Sequence, residues 1–324
     1  MADARGLEDD IRAGERLIVG GIEVSGRLFL APLAGITDLP VREFFSEHGA
    51  SLTHTEMISC AGLIRDNAKT FDMLKVSERE GPLVVQLFAN DAGVLKAGGE
   101  VVMERCEKFT AFGINMACPM PKITKNGCGA SLLKKPEIAV KMVSGLKSLG
   151  LPVWVKIRRL EDDDDTLSFV DGLVEAGADN VCIHGRTCAQ RYEGVADRRI
   201  TSKAGQKFPG MISASGDVRE VADVEEYLSM GCAGVMIARG AFSNPFIFEE
   251  FEGRFRTKGE KLSEIVNFAR HADEISGEHR ALVLMKRFAG SILRYGYGSA
   301  ELRRQAMMSG KLDEIIDILR KGSV

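Results

Sequence analysis

Residues 153–187 read VWVKIRRLEDDDDTLSFVDGLVEAGADNVCIHGRT. The stretch opens on one short apolar run, Val153–Ile157, and closes on another, Asn180–Ile183. Between them, Thr166–Ala176 repeats apolar residues at helical spacing. The turn Glu175-Ala176-Gly177-Ala178-Asp179 sets a glycine where that helix must stop, because glycine takes the left-handed conformation beyond a helix end without a Cβ clash. The unit therefore predicts strand, helix, strand. Near-continuous apolar strands joined through a helix belong to a parallel sheet covered on both faces.

The same rhythm extends in both directions. Leu28–Ala31, Leu52–His54, Leu83–Leu87, Phe112–Asn115, Met211–Ala214 and Gly234–Ala238 bring the apolar runs to eight. Asp91–Lys108, Pro136–Leu149 and Val218–Met230 read as helices between them, and Met230-Gly231-Cys232-Ala233-Gly234 repeats the glycine stop. The second and sixth crossovers are irregular. Eight units fit a closed α/β (β/α)8 TIM barrel better than an open doubly wound sheet. Before the first strand, residues 17–24 read as a β-hairpin with a Gly20-Gly21 turn, expected to plug the barrel floor. After residue 250 the β signal stops. Ser263–Ile275, His279–Arg294, Ala300–Met308 and Lys311–Leu319 read as helices, with Gly296 and Gly298 breaking the chain and Ser299 a candidate N-cap. The expected organisation is a barrel with its N-terminal hairpin over 1–251 and a small all-helical domain over 252–324.

The 324 residues suit a barrel of about 250 plus a small second domain. With 45% hydrophobic and 27% charged residues the composition is that of a soluble globular protein. No apolar run reaches the roughly 18 residues of a membrane span. Asp3, Arg5, Glu8, Asp9 and Asp10 precede any apolar stretch, which argues against a signal peptide. A cytoplasmic monomer without membrane contact is expected. The seven cysteines are odd in number, scattered, and free of any C-x-x-C pair, against a zinc site or disulfide framework. The acidic run Glu161–Asp165 reads as a solvated loop favouring the next helix N-terminus, and no metal is expected. The net charge of −3 is uneven: residues 253–324 carry 14 Lys+Arg against 9 Asp+Glu. Such a basic end could dock a polyanion or be a solvated helical face.

In a barrel, chemistry sits at the C-terminal ends of the strands. There, Ser215-Gly216-Asp217 after the seventh run and Ala238-Arg239-Gly240 after the eighth would place backbone N–H groups where this fold holds phosphate. Gln86, Lys156 and His184 are polar residues on otherwise apolar strands. Alone, the histidine could be structural and the lysine a strand-end cap. Together they would line the mouth and bond a flat, phosphate-bearing cofactor, the lysine holding negative charge on a reduced flavin ring. No G-x-G-x-x-G follows a strand, which argues against a Rossmann site. Cys118 lies just beyond the fourth run, before Pro119 and the loop Asn126-Gly127-Cys128-Gly129-Ala130. No histidine neighbours it in sequence. A free thiol, with a pKa of about 8.5, stays protonated at neutral pH and is better placed to donate a proton than to attack. Cys128 is the competing thiol.

In order and spacing these motifs resemble the tRNA-dihydrouridine synthases over nearly the whole chain. The carriers are Ala31-Pro32-Leu33-Ala34-Gly35-Ile36-Thr37-Asp38, the Gln86 strand, Asn115-Met116-Ala117-Cys118-Pro119 with Lys122 and Gly129-Ala130, Val155-Lys156-Ile157-Arg158, His184-Gly185-Arg186-Thr187, and Arg239-Gly240-Ala241 with Asn244-Pro245. The helical end, with Met285-Lys286-Arg287 and Ala300-Glu301-Leu302-Arg303, is similar to the family's RNA-binding domain.

The resemblance implies FMN as cofactor, NADPH as reductant and tRNA as substrate, with uridine reduced to 5,6-dihydrouridine. It implies that Pro32, Leu33 and Ala34 pack and bond the isoalloxazine and that Gln86, Lys156 and His184 bond its polar edge. Ser215, Gly216, Asp217, Ala238 and Arg239 would hold the phosphate. Hydride would reach carbon 6 of the uracil, and Cys118 would protonate carbon 5 from the opposite side as general acid. Lys122, Arg158, Arg186, Lys286, Arg287 and Arg294 are the leading candidates to meet RNA phosphates, with Lys125, Arg303 and Arg304 behind them. Tyr192 could stack on a splayed base or simply pack its loop. The chain departs from the family pattern at Ala117, Ser215, Ala238 and Cys188. Two competing readings remain at this point: a flavin barrel that reduces a small molecule, and a catalytically idle RNA-binding barrel.

Overall fold

The computed structural model describes residues 16–293 and 299–321. The readings for the N-terminal stretch with Asp3–Asp10, for Arg294, and for Gly296 and Gly298 lie outside the described residues. Among the described residues, eight parallel barrel strands follow one another as β1 Leu28–Leu30, β2 Thr53–His54, β3 Leu83–Phe88, β4 Ala111–Met116, β5 Val153–Arg158, β6 Asn180–His184, β7 Ile212–Ser215 and β8 Gly234–Ile237, and a short ninth strand, Ile58–Ser59, pairs with β3 off this path. Their order in the sheet is β1-β8-β7-β6-β5-β4-β3-β2. A single parallel bridge between Phe29 and Leu52 joins the two ends, with the Leu30 N–H donating to Leu52 O at 2.9 Å. This is the expected TIM barrel.

The pleat sorts each strand into two faces, because successive side chains alternate. On β5, Val153, Val155 and Ile157 pack outward with the apolar residues of the surrounding helices, while Trp154, Lys156 and Arg158 climb the interior. At the floor, Trp154 joins Phe29, Leu52 and Val84 with Val19, Ile22 and Val24 of the hairpin. That hairpin pairs Leu17–Val19 with Ile22–Val24, and the Trp154 indole donates to Gly20 O at 2.9 Å. Above lies a thin layer of Ala31, Cys182 and Met236. The top interior tier is polar.

Gly177 and Gly231 end their helices with φ of 100° and 87°, as their turns require. Asp162 caps the helix Asp163–Glu175, accepting from the Asp164 and Asp165 N–H groups at 2.8 and 3.2 Å. The acidic run is thus a helix start, and among the described residues no cluster of acidic, His or Cys side chains is arranged for a metal. The sixth crossover is a long loop over 185–197 followed by the helix Arg198–Lys207. The sequence gives little sign of that helix, because its inward stripe is only Ile200, Thr201, Ala204 and Gly205.

The helices Lys258–Ser276, Glu278–Ile292, Ser299–Met308 and Leu312–Lys321 follow the barrel. The first begins at Lys258 rather than Ser263, because Thr257 and Glu260 cap each other's backbone N–H groups. Phe268, Leu284 and Phe288 share one apolar core with Val41, Phe44 and Phe45 of the barrel helix Leu39–Glu47. Burial of this shared surface docks the helical segment onto the barrel. Among the described residues no helix is long and apolar enough to cross a membrane.

Candidate active site at the barrel mouth

Asn115 stands at the centre of the polar tier. Its Nδ2 donates to Gln86 Oε1 at 3.0 Å, and its Oδ1 accepts from the Cys118 and Ala117 N–H groups at 3.1 and 3.3 Å. The Gln86 backbone N–H donates to Thr55 Oγ1 at 2.9 Å. With Oε1 taken, the Gln86 amide nitrogen has no protein partner among the described residues. Lys156, beside Asn115 in register, likewise has no carboxylate partner there, and burial holds its pKa below the usual lysine range. The His184 pKa is pushed down to about 2, first by burial and then by the charges of Lys156, Arg158, Arg186 and Arg239. Its Nε2 lies 3.4 Å from Arg186 Nη1. A guanidinium only donates, so Nε2 must accept and the ring proton sits on Nδ1. Gln86, Lys156 and His184 thus offer spare donors at one mouth and no carboxylate. Such a set fits an acceptor-rich ring edge that takes up negative charge.

Cys118 is half-buried in the loop after β4. Burial raises its pKa, while the Met120 backbone N–H and the Arg158 charge oppose that rise. The Ala130 N–H donates to Cys118 O at 3.0 Å. At Gly129, with φ of 59°, a Cβ would lie 2.7 Å from Cys118 O, so glycine lets this segment close on the cysteine. Cys128 is buried and donates to Asn126 O at 3.7 Å.

The turn after β7 packs against the start of the helix Arg239–Ser243: a Cβ on Gly240 would lie 2.1 Å from Val218 O. The Arg239 side chain is largely exposed, with Nη2 3.8 Å from Asp217 Oδ1. The Asp217 carboxylate is already engaged, by Arg186 Nη2 at 2.7 and 2.9 Å and by the Ala196 N–H at 2.8 Å. It can serve an anion only through its backbone. Ser215 is buried and Gly216 lies against the His184 ring. Ala238 has a φ of −106°, and Ala117 is not among the positive-φ residues; neither methyl meets a left-handed backbone. After β1, Pro32 and Leu33 are half-buried and Ala34 is exposed. The Leu33 N–H donates to Thr37 Oγ1 at 3.0 Å.

Two expected RNA contacts need correction. Arg158 and Arg186 are only 1% and 2% exposed. Arg158 donates to Ala117 O at 2.9 Å, Thr187 O at 3.0 Å and Arg191 O at 2.7 Å. Arg186 holds Glu193 O, Gly194 O and Asp217. Their place on or just after inward-facing strand ends turns them onto the loop carbonyls of residues 187–194, which would otherwise lack donors. Lys122 and Arg287 are exposed and Lys286 is half-buried. Arg303 donates to Leu293 O at 2.7 Å and Arg304 pairs with Glu301. Tyr192 is 54% exposed and lies between the Arg158 and Arg239 guanidiniums, 5.5 and 5.2 Å from its ring centre. Asn115 carries a role that the sequence reading missed. A polar residue on an inward strand position beside Cys118 was the available signal.

A family model described as "Dihydrouridine synthase (Dus)" matches residues 29–319. A protein named "Probable tRNA-dihydrouridine synthase" from Treponema pallidum is 33% identical over 245 residues, covering 72% of each chain. "Probable tRNA-dihydrouridine synthase 1" from Synechocystis is 30% identical over 322 residues, covering 94% of this chain and 88% of that protein. Among solved structures, morphinone reductase in complex with tetrahydroNAD superposes with a TM-score of 0.55 at 11% identity, over 74% of this chain and 90% of that one. That likeness is one of fold alone.

Proposed function

The chain belongs to the dihydrouridine synthase family, and on that premise we propose that it is an oxidoreductase that uses FMN and NADPH to reduce uridine in tRNA to 5,6-dihydrouridine. The observation that carries this reading is the meeting of spare donors on Gln86, Lys156 and His184 with a half-buried thiol at one barrel mouth. Bound FMN, re-reduced by NADPH, would supply the hydride for carbon 6 of the uracil. Lys156 would hold negative charge on the ring edge when the cofactor is reduced, and Gln86 and neutral His184 would donate to the ring's oxygens and nitrogens. Pro32, Leu33 and Ala34 pack on the ring. Ser215, Gly216, Asp217, Ala238 and Arg239 hold the phosphate, Asp217 by its backbone alone.

Cys118 gives its proton to carbon 5. A thiol whose pKa is raised by burial is fully protonated at neutral pH, as a general acid must be. The Met120 N–H and the Arg158 charge then stabilise the thiolate left behind. Lys122, Lys286 and Arg287 meet RNA phosphates. One chain supplies every residue named, so a monomer suffices. The test is to map dihydrouridine in tRNA from cells lacking the gene. Loss at a defined position supports the reading, and an unchanged pattern counts against it.

A further inference from the structure

The loop after β1 is held from two sides. From the barrel side, Thr37 bonds the Leu33 backbone in both directions. Arg42 donates to Thr37 O at 3.2 Å while it is locked in a buried ion pair with Glu80 at 2.7 Å. Glu56 accepts the Gly35 N–H. The outer side is held by a residue remote in sequence. Arg280, in the helix Glu278–Ile292, donates Nη1 to Gly35 O at 3.0 Å and Nη2 to Ile36 O at 3.2 Å, and its Nε binds the Asp38 carboxylate. One guanidinium thus closes three acceptors of this loop, Gly35 O, Ile36 O and the Asp38 carboxylate.

We propose that Arg280 is a positioning residue of the cofactor site: through it the helical segment sets the backbone of the loop that presents Pro32, Leu33 and Ala34 to the flavin. This rests on the reading that FMN binds at the mouth. A planar fork with several donors suits the task, and a lysine cannot replace it, because an ammonium offers no fixed geometry for two carbonyls and a carboxylate together. Without Arg280, Gly35 O and Ile36 O lose their donor. Asp38, whose Oδ1 already lacks a partner, would then sit beside Glu56 with no neutralising cation from this helix. The helical segment is therefore part of the flavin site as well as a place for RNA.

The experiment follows FMN release from diluted holoenzyme by the rise in flavin fluorescence, for wild type, Arg280→Met and Arg280→Lys. Affinity for bulk tRNA is measured on the same samples. Loss of charge-assisted hydrogen bonds is expected to weaken FMN retention about tenfold in Arg280→Met. Arg280→Lys, which keeps a cation for Asp38, is expected to fall between that variant and wild type, with tRNA affinity within about twofold throughout. FMN retention equal to wild type in both variants overturns the proposal and leaves the FMN reading standing. Equal loss of FMN and tRNA affinity also overturns it, since that marks a general structural role. A wild-type chain that binds no FMN overturns both.

Discussion

Asn115 and Gln86 are joined across neighbouring strands β4 and β3 by a 3.0 Å hydrogen bond, the Asn115 amide donating to the Gln86 carbonyl oxygen. The bond engages the Gln86 carbonyl oxygen and leaves its amide nitrogen, which has no protein partner among the described residues, as a spare donor. The opposite end of Asn115 holds the backbone of Cys118 at 3.1 Å. On the proposed reading, one side chain thereby sets both the cofactor contact and the acid. Asn115→Asp keeps the shape but cannot donate to Gln86. With buried hydrogen bonds worth about 1–3 kcal/mol when broken, we expect FMN affinity and turnover each to fall roughly tenfold to a hundredfold. Titration of FMN and steady-state turnover on tRNA check this, and unchanged values for both would remove Asn115 from the account.

Cys118→Ala is expected to keep FMN and tRNA binding and to lose about a hundredfold or more of turnover, the usual worth of a positioned acid. Cys128→Ala is expected to retain most activity, its thiol being buried against Asn126 O. The reverse pattern would exchange their roles. Because burial raises the Cys118 pKa, kcat/KM should hold through neutral pH and decline only as pH climbs above the ordinary thiol range. A decline already beginning below pH 7 would contradict the assignment.

Arg186 and Arg287 separate burial from RNA contact. Arg186→Leu breaks a buried pair with Asp217 and should cost about 3–5 kcal/mol of stability, read by denaturant melting. The salt dependence of tRNA binding should not change in the protein that remains folded. Arg287→Ala, at an exposed position, should leave stability intact and reduce the slope of log K against log salt by about 1.

The buried histidines set an acid limit. His54 Nδ1–H donates to Leu30 O at 2.9 Å, and burial pushes its pKa down from 6.5 to about 3. Between those values the unfolded chain binds a proton that the folded chain does not. Stability contributed by neutral His54 is therefore complete above pH 6.5 and drains away as pH falls toward 3, at up to about 1.4 kcal/mol per pH unit. His54→Gln should flatten the slope of folding free energy against pH in this window. An unchanged slope would mean that His54 is already neutral in the unfolded chain or charged in the folded one.

Most of the barrel was readable because its physics is local. Most of the eight barrel strands are apolar runs, Thr53–His54 being the exception, and Gly177 and Gly231 take the left-handed turns their positions demand. The mouth was readable for a related reason: Gln86, Lys156 and His184 are polar residues at inward positions, where a buried polar group needs a partner. The misplacement of Arg158 and Arg186 shows where such reading stops. An arginine near a strand end can serve RNA or its own loop, and only the path of residues 187–194 decides between them. The helix Arg198–Lys207 was hidden because its buried stripe is small and polar. Arg280 was hidden because its partners lie at the other end of the chain.

The proposed reaction is the reduction, at this mouth, of a uracil held in RNA. It is tested most directly by incubating the purified protein, loaded with FMN, with unmodified tRNA and NADPH and measuring dihydrouridine in the recovered RNA. We expect dihydrouridine to form in wild type and to drop sharply in Cys118→Ala. A wild-type protein that binds FMN, binds tRNA and oxidises NADPH yet leaves every uridine intact would contradict the account.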